Sequence, residues 1–358
     1  MDNARRRVLA GAAVLNVPPP LVSVVLPVRN AVTTIARAVA SVRAQTFAGW
    51  ELVVVDDGST DGTREILRGL AREDSRLNLI AQEPRGVAPA ANAAVAAARG
   101  EFVARMDADD ESQPDRLAAQ VEFLRAPENR DLGVVGSLVA FGGDRVASAG
   151  YTQHVDWTNS LTTPEAIALN RFVESPLVNP SVMFRRELVA RHGGWRDGDF
   201  PEDYELWLRW LEAGVRLAKV PRVLLTWHDA PTRLTRTDAR YAPAKFFEVK
   251  SAWIARELGR VAPGCRIFVW GAGRHTRKRA ALLERFGVSI AGYVDVDAKK
   301  TGRGLGGTGV PVIDAEALPP PGEIFVLSYV TTRGARDYNR AKLLARGYVE
   351  GRDFLLCA

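Results

Sequence analysis

The 358-residue sequence predicts an α/β protein, an open and largely parallel sheet that turns mixed after residue 111, followed by a smaller Rossmann-like α/β unit. Two apolar, β-branched runs, "LVSVVLPV" (21–28) and "WELVVVDD" (50–57), have the pattern of strands buried on both faces of a parallel sheet. Polar and acidic clusters stand at the ends of these runs, where open α/β sheets bind ligands. A new strand, glycine-rich turn and helix begin at Arg266.

Between the first two strands, "AVTTIARAVASVRAQ" sets Ile35, Val39 and Val42 at helical spacing. A second helix follows "DDGSTDGT". "LNLIAQ" then reads as a strand, the Ala-rich stretch from 87 to 99 as a helix, and "EFVARM" as a fourth strand. In that βαβαβαβ order Pro27 to Asn30, Asp56 to Thr60 and Asp107 to Asp110 each end a strand, so the three clusters are expected to meet in one crevice. Next come a helix with Leu117, Val121 and Leu124 on one face, a strand "LGVVGSLVAF", an irregular stretch over 143–178 and the segment "PSVMFRRELVARHGG". "PEDYELWLRWLEAG" is helical, with Leu206, Trp207, Trp210 and Leu211 facing inward and Gly214 as its stop. "RLAKV" and "RVLLTW" read as two short strands, and "PAKFFEVKSAWIARELG" as a helix. A boundary at "VAPGC" divides the chain into a tail over 1–20, a large unit over 21–260 and a Rossmann-like unit over 261–358.

With 47% hydrophobic and 25% charged residues the chain has the composition of a two-domain globular protein and not of a disordered one. Its net charge of +6 could suit an anionic partner, but a solvated arginine-rich surface is the commoner meaning of such a surplus. Cys265 and Cys357 form neither a disulfide framework nor a zinc motif, which fits a reducing, cytoplasmic compartment. The opening "MDNARRRVLAGAAVLNVPPP" only faintly resembles a secretory signal, and a core strand follows at once, so no cleaved leader is expected. No apolar run reaches the ~18 residues of a membrane span. Membrane attachment, if present, is therefore expected to be peripheral, at the inner face.

The stretch "ARMDADDESQPDRLAAQ" crowds Asp107, Asp109 and Asp110 into one turn, a costly arrangement unless a cation or hydrogen-bond donors sit among them. Mg²⁺ or Mn²⁺ needs only one or two carboxylates when phosphates and water complete its octahedron, so the turn suits a metal-diphosphate complex. It also reads as an N-cap and first-turn acids before a helix, and from the residues alone both readings stand. "VVVDDGSTDGT" is either an Asx-rich cap or a loop in which Asp57 accepts the imide N–H of a uracil. Glu202 and Asp203 either meet the dipole of their helix or supply a base that takes a proton from an acceptor hydroxyl as it attacks an anomeric carbon.

Four blocks in order and spacing, "VSVVLPVRNAVTTIARAVASVRAQTFAGWELVVVDDGSTDGT", "GEFVARMDADDESQPDRLAAQVEFL", "NPSVMFRRE" and "PEDYELWLRW", resemble the family 2 inverting glycosyltransferases of the GT-A fold, over residues 21 to 230. The resemblance implies a metal-dependent transfer from a nucleoside diphosphate sugar, UDP-linked, to a hydroxyl of a glycan or lipid-linked acceptor, in cell-surface polysaccharide assembly. It implies no nucleic acid partner. Pro27 and Asn30 look like the loop that packs on the base, and Asp57 like the acid that reads uracil. Asp107 and Asp109 resemble the acids at the ribose and the metal-diphosphate, with Asp110 behind them or as an alternative ligand. Asp203 resembles the catalytic base, and Glu202 a residue that orients the acceptor.

The chain departs from the family pattern at Arg29, where Tyr is frequent, and at Asn179, where His is frequent. It lacks the Gln-x-x-Arg-Trp signature of processive synthases, which implies single additions. His228 stands where several relatives place a His or Arg near the diphosphate, although a lone His at a strand end is more often structural.

In the last third, "VWGAGRHTRK" followed by "YVDVD" looks like a dinucleotide fingerprint, with Gly271 and Gly273 at the pyrophosphate and Asp295 or Asp297 at a ribose. Thr276 replaces its third glycine, and without that residue the pattern often marks only a tight turn. The segment resembles Rossmann-like modules appended to bacterial sugar-modifying enzymes. Its alternatives are an NAD-dependent oxidoreductase, a sugar-nucleotide binding unit, or a packing module without ligand.

Overall fold

The computed structural model describes residues 19–230, 233–302, 309–332 and 334–358. Most of the tail expected over 1–20, with its leader-like opening, lies outside the described residues.

Eight strands build the first sheet. β1 (Val22–Val28), β2 (Trp50–Asp57), β3 (Leu77–Gln82) and β4 (Phe102–Arg105) are parallel, and β1 and β2 are buried along their whole length. β5 (Glu111–Ser112), β6 (Leu132–Phe141), β7 (Met183–Arg185) and β8 (Arg216–Trp227) complete the order β3-β2-β1-β4-β7-β6-β8-β5. β7 runs antiparallel to both β4 and β6, and this reversal makes the sheet mixed.

Helices α1 (Ile35–Arg43), α2 (Thr63–Glu73), α3 (Val87–Ala97) and α4 (Arg116–Arg125) fall where the periodicity predicts them. In α3 the buried face is Ala88, Ala90, Ala91, Ala94 and Val95, small side chains that let the helix lie close on the sheet.

Two expectations are corrected. The stretch over 143–178 is not irregular throughout, because it holds α5 (Ala149–Ser160) and α6 (Pro164–Asn170). α5 buries only Val155 and Thr158, too little for a periodic signal, whereas Thr163 caps α6 by accepting from Ala166 N. "RLAKV" and "RVLLTW" form one strand, β8. Val220 pairs with Ser137 and Val223 with Leu138, so Pro221 and Arg222 bulge out of register and the proline breaks no ladder bond.

The short α7 (Glu187–His192) leads to α8 (Glu202–Glu212), which buries Leu206, Trp207 and Trp210 and ends before Gly214 at φ +83°. Leu211 is only partly buried. α9 (Leu234–Thr237) and α10 (Pro243–Val261) lead to the second sheet. That sheet contains β9 (Arg266–Trp270), β10 (Ile290–Asp295), β11 (Val312–Asp314), β12 (Ile324–Ser328) and β13 (Phe354–Leu356), all parallel, in the order β11-β10-β9-β12-β13. α11 (Arg274–Ala280) follows β9, and α12 (Ala335–Ala345) lies between β12 and β13.

The two sheets share a core. Tyr204 and Leu208 of α8 pack with Trp253, Ile254 and Leu258 of α10 and with Ile267, Val269 and Leu327 of the second sheet. Buried Lys250 reinforces this seam by donating to the carbonyls of Phe172, Val173 and Cys357 at 2.8–3.0 Å. With each Nζ proton satisfied locally, three carbonyl dipoles offset part of its cost of burial, which still lowers its pKa to about 7.

The chain entering β4 is stapled to β1 and β2. Ser23 Oγ accepts from Gly100 N at 2.8 Å and donates to Glu51 Oε1 at 2.6 Å, and Arg99 N also donates to Glu51. A Cβ on Gly100 would stand 2.6 Å from Ser23 N and 2.9 Å from Leu21 O, both backbone atoms that cannot rotate away. Gly100→Ala is expected to destabilise the fold by about 2–3 kcal/mol. A fall in the urea midpoint at unchanged m-value is the measure.

Candidate active site

The site sits at the carboxyl ends of β1, β2 and β4. Two residues beyond β1 stands Asn30, whose φ of 53° is the only positive value of a non-glycine among the described residues. Asn30 N donates to Ser59 Oγ at 3.0 Å and its Oδ1 accepts from Thr60 N at 2.9 Å, which ties the β1 loop to the β2 loop. Asp56 is buried at the end of β2. Hydrogen bonds from Ser59 and Arg64 outweigh the effect of burial and hold its carboxyl below the usual range.

Asp57 accepts from Gln82 Nε2 at 2.7 Å and from the amides of Arg85 and Gly86 at 2.8 Å. A carboxylate offers about four lone-pair sites, so one remains for a donor in the cavity.

The acidic turn follows β4. Arg105 Nη2 pairs with Asp107 Oδ1 at 2.7 Å, and Asp107, Asp109 and Asp110 present oxygens within 4.8 Å of one another. Burial, and then the charge of Asp107, raise the pKa of Asp109. Burial also pushes that of Asp110 well up. Antiparallel β5 and β8 bring His228 over the turn, where its backbone N–H donates to Asp110 Oδ1 at 2.8 Å. The other oxygen, Asp110 Oδ2, is buried and has no hydrogen-bond partner. His228 Nε2 lies 2.6 Å from Glu111 Oε1, so the imidazole is engaged by a carboxylate outside the triad. Beneath the turn, buried Arg116 donates to Arg105 O, Val182 O and Ser112 Oγ at 2.8–3.2 Å, fixing its base.

Glu202 and Asp203 open α8 and face the acidic turn. Asp203 Oδ1 accepts from Tyr204 N at 2.7 Å, and Tyr241 Oη donates to Glu202 Oε2 at 2.6 Å. Burial, followed by the neighbouring Glu202, raises Asp203 to about 7. Burial also raises Glu202, against the hydrogen bond from Tyr241.

One cavity of about 1030 Å³ is lined by Pro27, Asn30, Asp57, Asp107, Asp109, Glu202 and Asp203. The three strand-end clusters and the α8 acids, separated by up to 176 positions between Pro27 and Asp203, thus share one space.

The model of the family described as Glycosyl transferase family 2 matches residues 23–193. The putative glycosyltransferase EpsE of Bacillus subtilis (strain 168) is 32% identical over 203 residues, 55% of this chain and 69% of EpsE. The chain belongs to glycosyl transferase family 2. A second relative, the Escherichia coli UDP-Glc:alpha-D-GlcNAc-diphosphoundecaprenol beta-1,3-glucosyltransferase WfgD, is 41% identical over 105 residues, 29% of this chain and 41% of WfgD. Of another relative the chain spans only 23% of the length. Among solved structures, S. aureus TarS 1-349 in complex with UDP-GlcNAc superposes with a TM-score of 0.54 at 21% identity, covering 74% of this chain and 71% of that one. The fold is the mixed-sheet GT-A type, with the second parallel sheet in addition.

Three residues of this family 2 site escape sequence reasoning. Arg105, buried inside a strand, reads as a core anomaly until its pairing with Asp107 is seen. Arg233 donates to His228 O at 2.6 Å and lies 4.2 Å from the Trp227 ring, where its charge opposes those of Asp109 and Asp110. Tyr241 is 39 positions from Glu202, and no local motif announces it.

The glycine-rich turn of the second sheet is not part of this cavity. Gly271 has φ +104°, and a Cβ there would meet Val330 at 2.8 Å and Thr276 at 3.1 Å. Asp295 accepts from Ala272 N at 2.9 Å and Asp297 N at 3.0 Å, and pairs with Lys300 at 3.2 Å, so its carboxylate braces the turn itself. Gly273 faces open space.

Proposed function

We propose that the chain is a metal-dependent, inverting, single-addition glycosyltransferase. Its donor is a nucleoside diphosphate sugar, UDP-linked, and its acceptor a hydroxyl of a glycan or lipid-linked glycan in cell-surface polysaccharide assembly. We assign the transferase unit to 21–260 and an appended unit to 261–358. The observation that carries this reading is the meeting of Asp57, Asp107, Asp109 and Asp203 in one cavity. The UDP-GlcNAc complex of the structural neighbour TarS and the UDP-Glc in the name of the relative WfgD support the choice of donor.

The acidic triad fits a divalent cation, because three carboxylates converge and one buried oxygen, Asp110 Oδ2, lacks a donor. Asp107 and Asp109 would hold the ion, Mg²⁺ or Mn²⁺, with Asp110 behind them. When bound, it neutralises charge on the departing diphosphate. Asn30 and Pro27 pack on the base, and Asp57 accepts from its imide N–H. Arg105 holds Asp107, and Arg233 adds positive charge beside the turn. The acceptor hydroxyl gives its proton to Asp203 as its oxygen bonds to the anomeric carbon. The bond from that carbon to the diphosphate oxygen breaks on the opposite face, which inverts the centre. Glu202, fixed by Tyr241, orients the acceptor.

Thermal shift with UDP, GDP, CDP and ADP, each with and without Mn²⁺, tests the reading. UDP is expected to stabilise the protein most and only with Mn²⁺, by about 2.7 kcal/mol at a hundredfold excess over Kd. A panel in which no nucleotide shows a metal-dependent shift would overturn it. A lipid-linked acceptor would be met by peripheral contact at the inner membrane face; no helix among the described residues is long and apolar enough to cross a membrane.

A further inference from the structure

The cavity does not stop at Asp203. It continues between α10 and the second sheet, where Phe246, Phe247, Lys250, Arg279 and Arg336 line it. The second sheet's unit is therefore one wall of the same space as the donor site. The far end is cationic and incompletely paired. Arg279 makes only long hydrogen bonds, to Tyr329 O at 3.4 Å and Thr331 Oγ1 at 3.3 Å, and lies 4.2 Å from the Phe247 ring. Arg336 uses its Nε on the main-chain oxygen of Ala358 at 3.1 Å and lies 5.4 Å from the Trp157 ring. Neither guanidinium is ion-paired with an Asp or Glu side chain among the described residues, whereas Arg105 and Arg240 of the same cavity are held by Asp107 and Asp238.

Arg279, Arg336 and Lys250 line this arm together with one acidic side chain, Glu174, which lies 3.3 Å from His154 Nδ1. Burial lowers the pKa of both arginines, and at Arg336 the charges of Glu174 and Asp337 oppose that effect only in part. Each guanidinium carries five N–H donors in a fork that suits tetrahedral oxyanions, and most of these remain uncommitted. Beside them, half-buried Phe246 and Phe247 offer an apolar surface.

We propose that this arm is the acceptor subsite, walled by the 261–358 unit, and that Arg279 and Arg336 seat a phosphate or diphosphate group of the acceptor while its hydroxyl lies at Asp203. This rests on the transferase reading of the site. It gives the appended unit a role that needs no nucleotide at its glycine-rich turn, namely selecting acceptors that carry phosphate.

The test is calorimetric titration of the full chain, saturated with UDP in excess Mn²⁺ so that the donor site is filled. Geranyl diphosphate and glycerol 3-phosphate are the two probes. Binding of at least one is expected, weakened tenfold or more by Arg279→Gln with Arg336→Gln, while the UDP Kd stays within twofold. Tighter binding of geranyl diphosphate assigns a lipid-linked acceptor, and tighter binding of glycerol 3-phosphate a polyol-phosphate one. If the double variant does not fold, Arg279→Gln alone is expected to weaken the probe threefold or more, with Arg279→Lys recovering part of the loss. Absence of probe binding to the wild type, or equal binding by wild type and variant, overturns the proposal. A chain that fails to bind UDP overturns the transferase reading instead, and the probes can then be titrated without it.

Discussion

Asp109→Ala is expected to lower sugar transfer by about 10³-fold, because a metal on the leaving diphosphate contributes several kcal/mol to the transition state. The same variant should lose the Mn²⁺-dependent part of its stabilisation by UDP. Its apo form should be no less stable than the wild type. Asp107, Asp109 and Asp110 lie within 4.8 Å of one another, and burial and Asp107 already disfavour the charged form of Asp109, so deleting one carboxylate relieves repulsion. A general unfolding of the turn would instead lower apo stability together with activity. Retention of wild-type Mn²⁺ dependence in Asp109→Ala would remove Asp109 from the metal site.

Much of this site is legible in the sequence because the sheet converts linear order into position. Strands β1, β2 and β4 are parallel neighbours, so residues that end three apolar runs emerge side by side, and the crevice follows from periodicity alone. The residues that stay hidden are those whose partners are set by tertiary packing. Arg105 gives no signal beyond a charge in an apolar strand, and Tyr241 sits in a segment with no periodicity. The helices over 149–170 are hidden for a related reason. α5 shows the core only Val155 and Thr158, and its polar remainder resembles a loop. The Thr163-Pro164 start of α6 carried a readable capping signal. Pro221 misleads in the opposite direction. It suggests a break between two strands, but a bulge absorbs it within one.

Asp203→Asn is expected to separate activity from stability. A general base contributes about 10²–10⁴-fold, so kcat should fall by that range while the UDP Kd, set at the other side of the cavity, changes little. In the wild type kcat/KM should rise with pH and level off above about 7, the value to which burial and then Glu202 push Asp203. The linkage sign follows from the same shift. A carboxyl whose folded pKa lies above its unfolded value binds its proton more tightly when folded, so the wild type is most stable below the unfolded pKa and loses stability as pH climbs towards 7. Asparagine resembles the protonated form and removes that loss. At pH 8 the variant should therefore be the more stable protein, by on the order of 1 kcal/mol, with the gap closing near pH 4. Asp107 adds to the upward shift, and the Tyr204 N–H and Arg105 oppose it. A variant that keeps wild-type kcat would remove Asp203 from the chemistry. One that loses kcat without gaining stability at pH 8 would keep the base but reject its burial as the cause of the shift, because a carboxylate already charged and solvated in the folded chain has nothing to gain from neutralisation.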